Sequence, residues 1–350
     1  MLPLPRGSAV VCLALILPLA ADAVRMRDHL YGVDTVGTAH AWAVGNFGSI
    51  HHTADGGKVW TSQTSGTKTP LFDVDFADER RGWIVGASGL ILRTTDGGAT
   101  WTAGRSPVPG DKHLFNVAAV DERTVWAVGD WGAIAMTRDG GETWLDRSLG
   151  ILTVHVEDSP ERSLQTITDD VILYDVMFVD ARHGFIAGEF GSLFVTQDAG
   201  ETWRRLPTGT QKTLFGVDFV SPREGWVVGI DGIVMRTTDG GATWDVQRGI
   251  VDVGAIGDLS FVEAMENPGL YAVQVAGPRG VVVGETGSLF VSDDGGRSWT
   301  PRALPDRDRL TWMRDVGLWE SGMGLAVGAA GFSAALGADG VVDGAEASSE

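Results

Sequence analysis

A short motif that recurs six times constrains the fold of this chain more than any other feature of its sequence. Its pattern is Ser/Thr-x-Asp-x-Gly-x-Thr/Ser-Trp, and only Val59 in the first copy departs from it. An Asp side chain in a turn accepts hydrogen bonds from backbone N–H groups just downstream, and the Gly two residues later can take a positive φ. The Trp packs a large apolar ring on the neighbouring sheet. Each copy therefore predicts a self-capped turn that staples a β-hairpin.

We call these six motifs the Asp turns. Six equivalent acids, each in its own repeat, do not converge on one active site, so a repeated structural role is favoured over catalysis or metal binding. Their acidic residues are Asp55, Asp96, Asp139, Asp198, Asp239 and Asp294, and their tryptophans are Trp60, Trp101, Trp144, Trp203, Trp244 and Trp299.

Two apolar segments precede every Asp turn and define a repeating unit. The first resembles Leu-Phe-x-Val, and the second resembles Trp-x-Val-Gly. A seventh pair, without an Asp turn, follows the sixth copy. The repeats begin near residues 30, 71, 114, 173, 214, 270 and 312.

The spacing and composition of these repeats identify the architecture. The glycines that end the second segment lie at 45, 86, 129, 188, 229, 284 and 328, so most repeats are about 41 to 44 residues long. A unit of that length, rich in β-branched and aromatic residues and punctuated by Gly, holds four short strands, as a propeller blade does. We therefore predict an all-β protein, a seven-bladed β-propeller of four-stranded antiparallel blades. The Leu-Phe segment is expected to be its innermost strand.

The N-terminal segment, residues 1–23, is typical of a secretory signal peptide. Arg6 precedes an apolar run, and Ala21-Asp-Ala23 offers a cleavage site before Val24. The run is short for a membrane span, so a transmembrane anchor is the second interpretation. The only cysteine, Cys12, lies in that run, and the mature chain would have none. We expect an exported protein, periplasmic or lumenal, with no membrane insertion after signal removal.

The mature chain, residues 24–350, is divided into a propeller over 24–337 and a disordered acidic tail over 338–350. The seventh repeat has no Asp turn and no clear fourth strand. Because an exposed strand edge invites aggregation, we expect residues 24–28 to supply the outer strand of blade seven. The net charge of −19 makes nucleic acid and anionic lipid poor partners.

Candidate binding residues cluster on one predicted face. In a propeller the turns between the second and third strands share a face with the links from blade to blade, and we call it the link face. The Asp turns lie on the opposite face. Two long inserted links, about 149–171 and 250–269, also fall on the link face. Loops on a rigid scaffold are the usual place for function.

The turns between the second and third strands share the frame Gly-x-x-Gly, and their central pairs vary. Three pairs contain an aromatic residue, which is either a binding anchor or a cap folded onto its neighbour. For any single one we favour the cap, yet together they make this the best candidate face. The partner-binding candidates are Phe47, Asp130, Trp131, Glu189, Phe190, Asp231 and Glu285.

Four arginines occupy one repeated slot and predict an arc over blades two to five on the Asp-turn face. Pairing with nearby carboxylates is the favoured role, and binding of an anion or a partner is the alternative. These residues are Arg80, Arg123, Arg182 and Arg223. The seven histidines show no metal-ligand spacing, and His51 and His52 are neighbours in a strand, where side chains point to opposite faces. We predict no metal site and no cofactor.

The repeat frame resembles a known family. The Asp turn is the bacterial neuraminidase repeat, or Asp-box, of sialidases and other propellers. The longer frame, from about Leu30 to Leu336, resembles the photosystem II stability and assembly factor family and its relatives in non-photosynthetic bacteria. The resemblance implies a lumenal or periplasmic propeller that binds a newly made subunit of a membrane complex without known catalysis. It also implies a basic patch, to which only the arginine arc could correspond.

We therefore expect a monomeric, non-catalytic assembly factor or scaffold. Its partner is expected to be a membrane protein complex or its unassembled subunit, photosystem II by resemblance. The alternative is a glycan-binding protein or a glycoside hydrolase related to sialidases, which use a Tyr nucleophile and an arginine cluster. Here the frame accounts for every Tyr. Four carboxylates could still approach one another around the axis: Asp130, Glu189, Asp231 and Glu285.

Overall fold

The computed structural model of the protein describes residues 26–149, 154–155, 171–249, 267–337 and 340–342. The predicted signal peptide, most of both inserted links and residues 343–350 lie outside the described residues. The chain forms seven four-stranded β-sheets, one of them extended by a fifth short strand. Within the four strands of each blade, neighbouring strands follow chain order and pair antiparallel. The predicted seven-bladed β-propeller is therefore confirmed.

The strands are numbered in chain order, four to a blade. The first three blades contain β1 (Leu30–Val36), β2 (His40–Gly45), β3 (Ser49–Thr53), β4 (Thr61–Thr64), β5 (Leu71–Phe76), β6 (Gly82–Gly86), β7 (Ile91–Thr94), β8 (Thr102–Ala103), β9 (Leu114–Ala119), β10 (Val125–Gly129), β11 (Ile134–Thr137) and β12 (Leu145–Asp146).

Blade four carries the extra strand, β13, which pairs parallel with β17 at the outer edge. The remaining strands are β13 (Val154–His155), β14 (Leu173–Phe178), β15 (Gly184–Gly188), β16 (Leu193–Thr196), β17 (Trp203–Arg205), β18 (Leu214–Phe219), β19 (Gly225–Gly229), β20 (Val234–Thr237), β21 (Asp245–Arg248), β22 (Leu270–Ala276), β23 (Arg279–Gly284), β24 (Leu289–Ser292), β25 (Thr300–Pro301), β26 (Met313–Leu318), β27 (Gly324–Gly328), β28 (Ser333–Gly337) and β29 (Gly340–Val342).

The first strand of each blade is innermost, as predicted, because these strands contact one another around the axis. Each has a register irregularity at its second residue; in blade two the pairing skips from Leu71 to Asp73. A residue left out of the ladder by a β-bulge is re-aimed by the local bend. The bulge therefore turns Phe72 and its equivalents toward the central channel, which they line.

Among the described residues the core consists of seven apolar clusters, each lying between two adjacent blades. Trp83 of β6 is representative, since its ring is buried against blade three. Its Nε1 donates a hydrogen bond of 3.1 Å to the carbonyl of Gly140 in the Asp turn of that blade. A buried Trp removes a large apolar area from water. In the four blades that have a second-strand Trp, this ring therefore packs its own blade against the next.

The Asp turns have the self-capped geometry that the motif predicts. In blade three, Asp139 Oδ1 accepts hydrogen bonds from the Thr137 hydroxyl, at 2.8 Å, and from the Thr143 N–H, at 2.9 Å. The Thr143 hydroxyl donates to Oδ2. These bonds favour the carboxylate and lower the pKa of Asp139 to about 2. The Asp turns are therefore structural hairpin clamps.

The closure of the ring differs from the prediction. Blade seven receives its outer strand from β29, which pairs antiparallel with β28. Residues 26–29 form no strand, although Met26 packs against the cluster between blades seven and one, and His29 Nδ1 accepts a hydrogen bond from the Ala330 N–H. The expected N-terminal outer strand is wrong, and the predicted tail boundary at 338 falls inside the last hairpin. Within the described residues no helix has the length and apolar character of a membrane span.

Candidate docking face and central channel

The turns on the link face hold their central residue in the left-handed region. At the three aromatic tips, the φ values are 57° for Phe47, 48° for Trp131 and 54° for Phe190. Such a φ is uncommon for a bulky residue. All three side chains are nonetheless exposed, by 69% for Phe47, 47% for Trp131 and 60% for Phe190. Exposure on this scale contradicts the interpretation of these rings as caps folded onto their neighbours.

Two of the three aromatic tips carry a basic side chain. Lys112 Nζ donates to the carbonyl of Trp131, at 3.2 Å, and Arg205 Nη2 donates to the carbonyl of Phe190, at 3.0 Å. Neither cation forms an ion pair among the described residues. The tips of blades three and four therefore present an exposed ring beside an uncompensated positive charge. These two basic residues were not predicted from the sequence, although Lys112 lies two residues before the innermost strand β9.

The four carboxylates predicted on this face hold their own blades together. Asp130 accepts from the His113 N–H at 2.8 Å, and Glu189 accepts from the Ile172 N–H at 3.2 Å. In each case the donor directly precedes the innermost strand of the same blade. These contacts clamp the start of that strand.

Glu285 has the same role in blade six, where it accepts from the Gly269 N–H at 3.1 Å and from the Tyr271 hydroxyl at 2.7 Å. Asp231 forms an ion pair with Lys212 of its own blade. All four predicted carboxylates are thus engaged locally.

The arginine arc on the Asp-turn face is exposed, and its members form no ion pair within the described part of the chain. The favoured pairing with carboxylates is therefore wrong. Their main chain has a structural role instead, since each arginine carbonyl accepts a backbone N–H of the Asp turn in the same blade. The carbonyls belong to Arg80, Arg123, Arg182 and Arg223.

A collar of six aromatic rings surrounds the link-face end of the central channel. Consecutive ring centroids lie 5.0 to 5.9 Å apart. In blade seven, Arg314 occupies the slot that holds an aromatic ring in the other blades, and its guanidinium lies 4.7 Å from the Tyr271 ring centroid. We call these rings the aromatic collar: Tyr31, Phe72, Phe115, Tyr174, Phe215 and Tyr271.

Below the collar, polar side chains of the innermost strands cross every blade interface. In each pair a side-chain oxygen of one blade accepts a hydrogen bond from a backbone N–H of the next blade, so the bonds run around the whole ring. The pairs are Asp34–Phe76, Asp73–Val117, Asp75–Ala119, Asn116–Val176, Asp175–Val217, Asp218–Val275, Gln274–Leu318 and Asp315–Val33.

The channel carboxylates have raised pKa values. Burial, opposed by the backbone hydrogen bonds, raises the pKa of Asp175 and Asp218 to about 7. Burial likewise raises the pKa of Asp75 and Asp315 to about 6. For Asp34 and Asp73, burial and repulsion from neighbouring carboxylates raise the pKa well above its usual value. Desolvation disfavours the charged form of a carboxyl group.

His51 and His52, the adjacent histidines of β3, have different partners. The His51 Nδ1 contacts the Ser62 hydroxyl at 3.2 Å, while His52 stacks on Trp42 and contacts His40. The described residues contain no group of three or more His, Cys, Asp or Glu side chains arranged to hold a metal ion.

Solved structures with the same fold include two that are named YCF48. One, bound to a D1 peptide, is 18% identical with a TM-score of 0.64, and 89% of this chain covers 94% of that one. The other, from Cyanidioschyzon merolae, is also 18% identical with a TM-score of 0.66, over 89% and 95% of the two chains. A GH74 xyloglucanase from Xanthomonas campestris is 17% identical with a TM-score of 0.64, over 89% of this chain and 52% of that one.

At these identities the structural likenesses establish the fold alone. No curated protein matches the chain significantly. The family model described as "Photosynthesis system II assembly factor YCF48" matches residues 64–151 and 202–311, which is more than half of the chain. Together with the repeat frame, this match shows that the chain belongs to the photosynthesis system II assembly factor YCF48 family.

Proposed function

We propose that this protein is an exported, non-catalytic assembly factor that binds an unassembled subunit of a membrane protein complex on its link face. Family membership supports an assembly or stability role at the level of the family. The observation that carries the proposal is the exposure of three aromatic side chains on one face of the propeller: Phe47, Trp131 and Phe190. By family resemblance the complex is photosystem II.

The chemistry of the link face favours a partner segment with apolar and acidic side chains. Exposed aromatic rings are common anchors of binding energy at protein interfaces. Lys112 and Arg205 place positive charge beside two of these anchors, and each donates to a carbonyl oxygen of the tip. A relative of known structure is bound to a D1 peptide. A peptide segment of a membrane protein is therefore a suitable occupant of this face.

Binding is favoured over glycoside hydrolysis because the candidate acids already have structural partners. Asp130, Glu189 and Glu285 each accept a backbone N–H that precedes an innermost strand. Burial and the hydrogen bond to Glu285 raise the pKa of Tyr271, so its phenol is a poor nucleophile. The xyloglucanase likeness concerns the fold alone.

Affinity capture with a matched control tests the proposal. The tagged protein is cross-linked mildly in its native envelope, and captured proteins are quantified by mass spectrometry. The variant Trp131→Ala with Phe190→Ala should capture at least tenfold less of the membrane subunit than the parent does, and its melting temperature should be unchanged. The control, Arg123→Ala with Arg182→Ala on the Asp-turn face, should capture as the parent does.

Two outcomes would reject the proposal. Loss of capture by the arginine control, with full capture by the aromatic variant, would assign docking to the Asp-turn face. Hydrolysis of xyloglucan or an aryl glycoside that Glu189→Gln abolishes would establish catalysis. Export is tested separately by the N-terminus of the protein isolated from its host, which should be Val24.

A further inference from the structure

The central channel contains a cavity of about 440 Å³ that neither the blade packing nor the proposed docking face explains. The aromatic collar lines it, together with channel carboxylates that include Asp73, Asp175, Asp218 and Asp315. A pocket of this size, with aromatic walls and a few polar groups, is typical of a small-molecule site. Its lining indicates the charge of the ligand.

The collar already holds one cation of the chain itself. The Arg314 guanidinium carbon lies 4.7 Å from the ring centroid of Tyr271 and 6.0 Å from that of Phe215. A cation within about 6 Å of an aromatic ring centroid is attracted by the negative face of the ring. Arg314 forms no ion pair within the described residues. The rings of the collar are thus arranged to stabilise an organic cation.

Acidic side chains in the channel outnumber this one basic side chain. Six carboxyl groups lie on the innermost strands, and none of them belongs to an ion pair among the described residues. Each accepts a backbone N–H group of the next blade. Burial favours the neutral form of these carboxyl groups, and a cation bound beside them would favour the ionised form. They are Asp34, Asp73, Asp75, Asp175, Asp218 and Asp315.

We propose that the aromatic collar and the channel beneath it bind a slender organic cation with an alkylammonium group, of the polyamine class, entering from the link face. The rings contact its methylene groups and the first ammonium group, and the deeper carboxylates balance the remaining charge. A metal ion fits less well, because the described residues offer no three-ligand cluster and the carboxylate oxygens accept backbone N–H groups.

Arg314 is a built-in competitor for this site. Its guanidinium occupies the aromatic surface next to Tyr271, and its charge repels an incoming ammonium group. Removing that charge should therefore strengthen cation binding, whereas it would abolish the binding of an anion held by the guanidinium. The sign of this one effect separates the two classes of ligand.

Calorimetric titration of the mature protein with spermidine tests the proposal, at low salt and at about pH 8, above the raised pKa of Asp175 and Asp218. We expect one site per chain, with affinity raised about tenfold by Arg314→Gln. Asp175→Asn with Asp218→Asn should weaken binding at least tenfold, and Phe115→Leu should weaken it measurably. The Asn side chains keep an acceptor for the interface N–H groups, so the fold should persist; melting temperatures check this.

A control of matched charge separates a built site from general attraction to an acidic protein. Glu79→Gln with Asp245→Asn removes two exposed acids outside the channel lining and should leave the affinity unchanged. The proposal is overturned if spermidine does not bind at millimolar concentration or if this control weakens binding as much as the channel variant does. It is also overturned if Arg314→Gln weakens spermidine binding, or if benzoate binds the parent and not that variant. The titration needs no protein partner, so its result is independent of the docking proposal.

Discussion

Asp315 Oδ2 in blade seven accepts a hydrogen bond of 2.8 Å from the backbone N–H of Val33 in blade one. This bond joins the two ends of the propeller across 282 residues of sequence. A bond of the same kind crosses each of the remaining blade interfaces. The first joins Asp34 to Phe76, and the last joins Gln274 to Leu318. Ring closure therefore relies on the innermost strands as well as on the apolar clusters.

Asp315→Ala should destabilise the protein by about 1 to 3 kcal/mol, because it leaves the Val33 N–H without an acceptor in a buried position. Asp315→Asn keeps an acceptor and removes a costly buried charge, so we expect it to remain within about 1 kcal/mol of the parent. Urea unfolding of the two variants measures the difference. Equal midpoints for Ala and Asn would show that this bond does not hold the ring closed.

Stability should fall as the pH rises from about 4 to 7. Burial raises the pKa of Asp175 and Asp218 to about 7, whereas the unfolded chain has the usual value near 3.8. Between these values the folded protein keeps protons that the unfolded chain has released. The stabilisation is complete below the unfolded pKa and is lost as the pH rises through the folded pKa. Asp75 and Asp315, with pKa values of about 6, act in the same direction.

One buried histidine, His51, and one half-buried histidine, His52, oppose this trend. Burial lowers the pKa of His52 to about 4 and lowers that of His51, so their contribution increases with pH up to about 6.5. The carboxylates outnumber them, and the urea midpoint should be higher at pH 5 than at pH 7.5. Asp175→Asn with Asp218→Asn should flatten the slope by up to about 1.4 kcal/mol per pH unit for each group. An unchanged slope in that variant would contradict the assignment.

The aromatic tips of the link face should be dispensable for folding. In Phe190→Gly, relief of the left-handed backbone offsets the greater entropy of the unfolded chain, so stability should stay within about 1 kcal/mol of the parent. Trp131→Gly should change the stability equally little. Removal of a buried ring would instead cost about 3 to 5 kcal/mol. A thermal melt of each variant decides whether these rings are surface anchors or core caps.

Truncation locates the strand that completes blade seven. A chain ending at Gly337 lacks β29 and exposes the edge of β28, so it should melt at lower temperature and aggregate on concentration. A chain ending at Val342 retains that strand and is expected to match the parent. If both truncations behaved alike, β29 would contribute nothing to closure.

Much of the fold could be predicted from the sequence because each blade repeats the same local chemistry. The Asp turns, with Asp139 between Thr137 and Thr143, give a signal in which every hydrogen bond is local. Blade seven lacks that signal. Its outer strand is only Gly340–Val342, and the surrounding small and acidic residues are typical of a tail. A three-residue strand gains its stability from the hairpin partner rather than from its own composition.

The site could be predicted only in part, because exposure and side-chain partners depend on tertiary packing. The sequence identified Phe47, Trp131 and Phe190 but not their exposure. It also identified Glu285 without the Tyr271 hydroxyl that engages it. One missed signal was present, since Arg314 stands in the slot that aromatic residues fill in the six other blades.

Site-specific photo-cross-linking in the native host tests the central claim most directly. A photoreactive residue is placed at position 131 on the link face and, in a second strain, at position 123 on the Asp-turn face. The docking proposal predicts that position 131 gives an adduct with an unassembled subunit of a membrane complex and that position 123 does not. An adduct from position 123 alone, or no membrane-protein adduct from either position, would contradict it.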